Sequence, residues 1–156
     1  MQLAQVNIAR MKGAIDSPVM ADFVANLDRI NALAEDSPGF VWRLKDEGNN
    51  ATSMKMYDDD FIIVNMSVWT DIDALFSYVY HSDHVEIFKR KKEWFHKMQE
   101  MHMVLWYVED NLFPTIPDAR ERLEYLQKHG ETPYAFTFKK RFSPADLRKY
   151  APNHPI

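Results

Sequence analysis

The chain has 156 residues, 46% hydrophobic and 27% charged, which suits one globular domain rather than a disordered segment. A formal net charge of −4 argues against the concentrated basic face that nucleic acid needs. With no cysteine, disulfides, thiolate metal sites and thiol nucleophiles are excluded.

Met1 leads into Leu3 to Ala9, which alternates as a strand, with Ala4, Val6 and Ile8 on one face and Leu3, Gln5 and Asn7 on the other. There is no charged n-region or apolar h-region before it, so a cytoplasmic protein with no membrane association is expected. Ser17-Pro18 is a helix start, and Val19, Phe23, Leu27, Ile30 and Ala34 follow at helical spacing until Ser37-Pro38-Gly39. Phe40 to Lys45 is a second strand whose alternation can be read either way, leaving the face of Arg43 open. Thr52 to Tyr57 suggests a short return strand.

Phe61 to Trp69 is the clearest strand: Ile62, Val64, Met66 and Val68 alternate with Ile63, Asn65 and Ser67. Thr70-Asp71 offers an N-cap to a helix carrying Ile72, Leu75, Phe76 and Val79, interrupted at His81-Ser82-Asp83. Beyond the interruption, His84, Ile87, Phe88, Lys91, Trp94, Phe95 and Met98 share one side. Met101 to Val108 is a fourth strand, presenting either His102, Val104 and Trp106 or Met103, Leu105 and Tyr107 to a given face. Thr115-Ile116-Pro117-Asp118 resembles a capping box opening a helix over 116–129 that Gly130 closes. Ala135 to Lys139 suggests a fifth strand, and the segment from Arg141, with Pro144, Pro152 and Pro155, reads as a tail.

This order predicts an α+β fold, a ferredoxin-like split β-α-β sandwich with both helices on one face of the sheet. One domain is expected over 1–140, including the extra C-terminal helix 116–129, followed by a Pro-containing C-terminal tail over 141–156. The face away from the helices would carry Leu3, Gln5, Asn7, Ile63, Asn65 and Ser67, with one set from the fourth strand. So bulky a face predicts a homodimer through the helix-free sheet face, forming a dimeric α/β barrel with a pocket between the sheets.

With Val68-Trp69 ending the central strand and Ser82-Asp83-His84 in the following helical region, the chain resembles the dimeric α/β-barrel superfamily. Its members include antibiotic-biosynthesis-type and heme-degrading monooxygenases. The stretch Asn65 to Trp69, with His81 to Phe95, most resembles an uncharacterised bacterial family of unknown function within it. The resemblance spans about residues 1–140; it implies the fold and leaves the reaction open, because this fold hosts many chemistries.

Asn7 and Asn65 are the sharpest candidates, two amides on neighbouring strands of one face, able to share a ligand carbonyl or hydroxyl or to bond each other, Gln5 or Ser67. His84, on the apolar side of its helix, suits a general base, and the resemblance implies a histidine at about this interval after Trp69. It equally suits a buried imidazole bonded to a backbone carbonyl. Substrate contacts are expected from Arg43, Ser67, Trp69, Trp94, His102 and Trp106: a cation that can clamp a carboxylate or phenolate, polar groups, and rings that can stack. No metal site and no cofactor are expected. His81 and His84 lack a ligand spacing, and of the three residues heme degradation would use by resemblance, only Asn7 is matched, with Val79 and Lys89 at the other two places.

Gly-rich phosphate loops, Gly-x-Ser-x-Gly and His-Glu-x-x-His are absent. The reading is a protein binding a small apolar or aromatic molecule. It is either a cofactor-independent oxygenase, isomerase or lyase in which Asn7, Asn65 and His84 act, or a non-catalytic ligand-binding or stress-response protein. A heme-binding monooxygenase is the remaining alternative.

Overall fold

The structure is a computed structural model that describes residues 1–150. Five strands, β1 (Gln2–Met11), β2 (Phe40–Arg43), β3 (Ile62–Trp69), β4 (Phe95–His96) and β5 (Met103–Val108), form one antiparallel sheet. Reading across it gives β2-β3-β1-β5, with β4 pairing the far end of β1 at Arg10 and Met11. That order, with α1 (Ala21–Glu35) and α2 (Ile72–His81) as crossovers, is the ferredoxin-like split β-α-β arrangement, so the fold is α+β as the sequence predicts. The short α3 (His84–Lys89) and α4 (Lys91–Trp94) continue α2, while α5 (Ile116–His129) and α6 (Pro144–Tyr150) follow β5.

Local chemistry explains the boundaries. The Asp71 side chain accepts from Ala74 N at 2.8 Å to start α2. Thr115 and Asp118 close a reciprocal capping box on α5, and Gly130, at φ 73°, ends it in a backbone region that favours glycine. Ser17 does not cap α1: its Oγ donates to Ala14 O at 2.6 Å, and Pro18–Met20 forms a 3₁₀ turn ahead of the helix. Thr52 to Tyr57 forms turns rather than a return strand, with Met56 buried under the sheet. Ala135 to Lys139 contributes two isolated bridges, Leu105 to Phe136 and Thr132 to Ala135, instead of a fifth strand.

The two faces of the sheet are both covered within the chain, which corrects the expected bare face. Ala4, Val6, Ile8, Val64, Met66, Val68, Val104 and Trp106 meet Ala119, Leu123 and Leu126 of α5 in the main core. Leu3, Trp69, Leu105 and Tyr107, on the other face, pack with Ala34 of α1 and Leu75 of α2. Toward β4, Met11 and Ile63 meet Phe23, Ile87 and Trp94. The face carrying Gln5, Asn7 and Ser67 is therefore the one beneath α1 and α2, and the purely apolar face lies beneath α5. The face expected to be helix-free and to drive a homodimer, that of Leu3, Gln5 and Asn7, lies under the chain's own α1 and α2, and α5 covers the opposite face.

The tail is also more ordered than its prolines imply. Tyr107 OH donates to Phe142 O at 2.6 Å, Phe142 and Leu147 pack on the second core, and Pro144 starts α6. Pro152 and Pro155 of the expected tail lie outside the described residues. No helix among the described residues is long and apolar enough to cross a membrane.

Candidate functional site

Antiparallel register brings the sheet's polar side chains into one row. Gln5 lies opposite Ser67 and Asn7 opposite Asn65, so period-two alternation sends all four to the α1–α2 side. Gln5 Nε2 donates to Asn65 Oδ1 and to Ser67 Oγ, each at 2.8 Å. Asn7 Nδ2 donates to Gln5 Oε1 at 3.2 Å and to Asn65 Oδ1 at 3.3 Å. Trp69 Nε1 donates to Ser67 Oγ at 2.8 Å and ends the row in the core.

The row changes from dry to wet along its length. Trp69 is 0% exposed, Gln5 5% and Ser67 7%, whereas Asn7 is half-buried and Asn65 is exposed. Buried amides and hydroxyls are costly unless paired, and here the inner groups are paired. At the wet end Asn65 borders a cleft of about 60 Å³. Its walls are Phe23, Leu27 and Asn31 of α1, Arg43 of β2 and residues 50–52 of the following loop. That volume admits a small polar group or the edge of a ring rather than enclosing a drug-sized molecule.

Arg43 pairs with Ser67 in the sheet and faces the same side. It is 6% exposed, donating through Nε to Glu35 Oε1 at 2.6 Å and through its two Nη atoms to Asn49 O and Oδ1, both at 2.8 Å. Three of its five N–H groups are thus held by the protein, leaving two for a ligand oxygen. Asn49 adopts φ 65°, a left-handed conformation that asparagine tolerates better than most residues.

His84 is apart from this cleft. Its ring lies 4.9 Å from Tyr78, and Tyr78 stacks on Trp69 with centroids 5.1 Å apart. Nδ1 of His84 lies 3.2 Å from Val79 O, fitting the N–H tautomer at Nδ1 and a bare Nε2. Burial holds its pKa below the ordinary histidine value, against the opposing effect of the Val79 carbonyl. Burial also pushes the Tyr78 phenol well above its usual value, with Arg43 working in the opposite sense. Both groups are therefore neutral near pH 7.

Of the residues proposed from sequence, Asn7, Asn65, Ser67 and Trp69 are brought into one network, with Arg43 beside it at the cleft. The expected convergence of Asn7, Asn65 and His84 does not occur, because Tyr78 and Trp69 lie between the imidazole and the amides. The cleft beside Asn65 lies between the sheet and α1. Trp94, 1% exposed, stands behind the cleft wall with its ring 5.7 Å from Phe23. Trp106 belongs to the opposite face, under α5, because it pairs with Ala4 in the sheet. His102 precedes β5 and is exposed, its Nδ1 3.4 Å from Glu100 O, so it lines no part of the cleft. Gln5 is the member the sequence reading did not single out, although its two-residue spacing from Asn7 was the available signal.

No curated protein matches the chain. Among solved structures it is similar to SnoaB, a cofactor-independent oxygenase from Streptomyces nogalater: 22% identity, TM-score 0.47, covering 71% of this chain and 96% of that one. A variant of the same oxygenase matches at 21% identity and TM-score 0.49 over the same shares. A protein of unknown function from Nitrosomonas europaea, NE2512, matches at 10% identity and TM-score 0.49, covering 73% of this chain and 95% of that one. Residues 2–152 match one family throughout, and the chain belongs to DUF3291, a domain of unknown function.

Proposed function

We propose that this protein binds a small organic molecule bearing an acceptor oxygen, a ketone or phenolate, with that oxygen at Asn65 and its apolar body against Phe23 and Leu27. The observation that carries this reading is the hydrogen-bonded state of Asn65. Its Oδ1 is occupied by Gln5 and Asn7, and its Nδ2 makes no hydrogen bond among the described residues. An exposed amide whose acceptor is already used offers donors, and Arg43 adds positive charge on the same wall of the cleft.

Acetophenone is a suitable probe, with a carbonyl, no donor and a flat apolar body. Titrated into ¹⁵N-labelled protein, it should shift the Asn65 side-chain NH₂ signals, and Asn65→Leu should weaken its binding roughly tenfold, the worth of one hydrogen bond to a desolvated carbonyl. Unmoved Asn65 signals at saturating probe would overturn the reading.

A second, catalytic reading rests on His84. An imidazole kept neutral by burial, with Nδ1 held and Nε2 bare, has the form of a general base. In this reading an electron-rich phenol is deprotonated and its carbanion adds oxygen. The resulting hydroperoxide then loses water to leave a new carbonyl, and each substrate consumes one O₂. Tyr78 would have to move for His84 to reach the substrate. Oxygen uptake with a dihydroxynaphthalene, lost in His84→Ala but retained in Trp106→Phe, is the expected result; uptake that His84→Ala leaves intact removes His84 from the chemistry.

A further inference from the structure

We propose that Gln5 sets the hydrogen-bonding polarity of the cleft, acting as the positioning residue that turns the Asn65 amide nitrogen, rather than its oxygen, toward the ligand. This rests on the reading of Asn65 as the ligand contact and explains why that contact would be a donor.

An asparagine side chain has two nearly isosteric orientations, one presenting two N–H donors and the other a carbonyl acceptor. At an exposed position water satisfies both, so something must select one. Gln5, 5% exposed, does so from beneath. Its Nε2 reaches Asn65 Oδ1 and Ser67 Oγ at 2.8 Å each, and its Oε1 accepts from Asn7. Rotating Asn65 by half a turn would bring its N–H group against the Gln5 N–H group. It would also lose the second bond from Asn7. Rotating Gln5 instead would set its oxygen against Asn65 Oδ1, an acceptor pair away from water.

The inner end supports the same orientation. The indole of Trp69 can only donate, so Ser67 Oγ takes one hydrogen from Trp69 and a second from Gln5. Polarity passes from the buried indole through Ser67 and Gln5 to the exposed amide. With the Arg43 guanidinium on the cleft wall, the site shows donors and selects against ligands that bring only donors.

Gln5→Glu is the direct test, since an ionised carboxylate of the same shape can only accept. Asn65 must then turn its Nδ2 inward and present its oxygen. While protonated, the introduced carboxyl keeps an O–H and partly imitates the amide, so the change should develop as pH rises through its titration. The charged and titratable groups on the elements packed over this row are Arg43 with Glu35, Tyr78 on α2 and, beyond Tyr78, His84 on α3, all present in the unsubstituted chain, which serves as the pH control.

The probes are acetophenone, acceptor only, and indole, donor only, followed on the Asn65 side-chain signals of the full chain. The unsubstituted protein should prefer acetophenone. In Gln5→Glu that preference should fall at least tenfold between pH 5 and pH 8, with no such change in the control. Gln5→Met removes the lock without adding charge and should bring the preference towards unity. Independently of any variant, the Asn65 NH₂ protons should exchange with water faster than those of Gln5. If acetophenone moves the Asn65 signals but both variants keep the original preference, or if the exchange order is reversed, the proposal is overturned while the site stands. If neither probe moves those signals in the unsubstituted chain, the site reading fails and the proposal falls with it.

Discussion

Tyr78 lies over Trp69, ring centroids 5.1 Å apart and planes 25° apart, while the indole nitrogen beneath it donates to Ser67 Oγ at 2.8 Å. The pair seals the dry end of the polar row: the stacked rings exclude water, and the indole hydrogen satisfies a hydroxyl that water cannot reach. Trp69→Phe keeps an aromatic surface but deletes the donor and leaves a gap. We expect a loss of about 2–4 kcal/mol in urea unfolding, from one buried hydrogen bond and a partial cavity. A loss below about 1 kcal/mol would show that the bond to Ser67 contributes little to stability.

His84 links the same stack to pH. Burial lowers its folded pKa below the unfolded value of 6.5, so the folded state binds fewer protons than the unfolded state as pH falls below that value. Its effect on stability is neutral above about pH 6.5 and grows increasingly unfavourable as pH drops from there to the folded pKa. Urea midpoints compared at pH 7.5 and pH 5.5 should therefore differ less in His84→Gln than in the unsubstituted chain. An unchanged difference would mean that other groups set the slope.

Arg43 ties three segments together: β2, the end of α1 through Glu35, and the turn at Asn49. Its planar fork makes these contacts at once, and a lysine ammonium, a point donor on a flexible stem, cannot reproduce them. Arg43→Lys should lower stability by about 1–3 kcal/mol, as expected for lost charge-assisted bonds, and speed amide exchange over residues 46–53. Protection equal to that of the unsubstituted chain over those residues would show the turn is held without Arg43.

How far the site could be read from sequence follows from the alternation of β1 and β3. Alternation places Leu3-Gln5-Asn7 and Asn65-Ser67 on one face, as the structure does, because side-chain period in a strand is two regardless of context. What alternation cannot say is which face a helix will cover. The pattern alone puts the helices on the apolar face of Ala4, Val6 and Ile8, yet α1 and α2 lie over the polar row and α5 covers the apolar one. The physical reason lies in the helices themselves. Among its residues α1 fully buries only Ala34, a loose fit that tolerates amides and leaves a cleft, whereas α5 buries Ala119, Leu123 and Leu126. Trp106 lies away from the cleft for a related reason, since the fourth strand allows two alternations and the pairing of Trp106 with Ala4 selects the one facing α5.

Leu123 tests that third layer. It is 0% exposed on α5 and packs in the core that covers Val6, Val68 and Trp106. Leu123→Ala should cost about 2–5 kcal/mol, the range for large-to-small changes at well-packed buried sites. Leu123→Asp goes further by placing a charge among the apolar side chains of that core, so α5 should detach and bare the apolar face of the sheet. That variant should then self-associate in light scattering at concentrations where the unsubstituted chain does not change its mass. If its mass stays the same and its α-helical circular dichroism is unchanged, α5 is not what keeps that face from water.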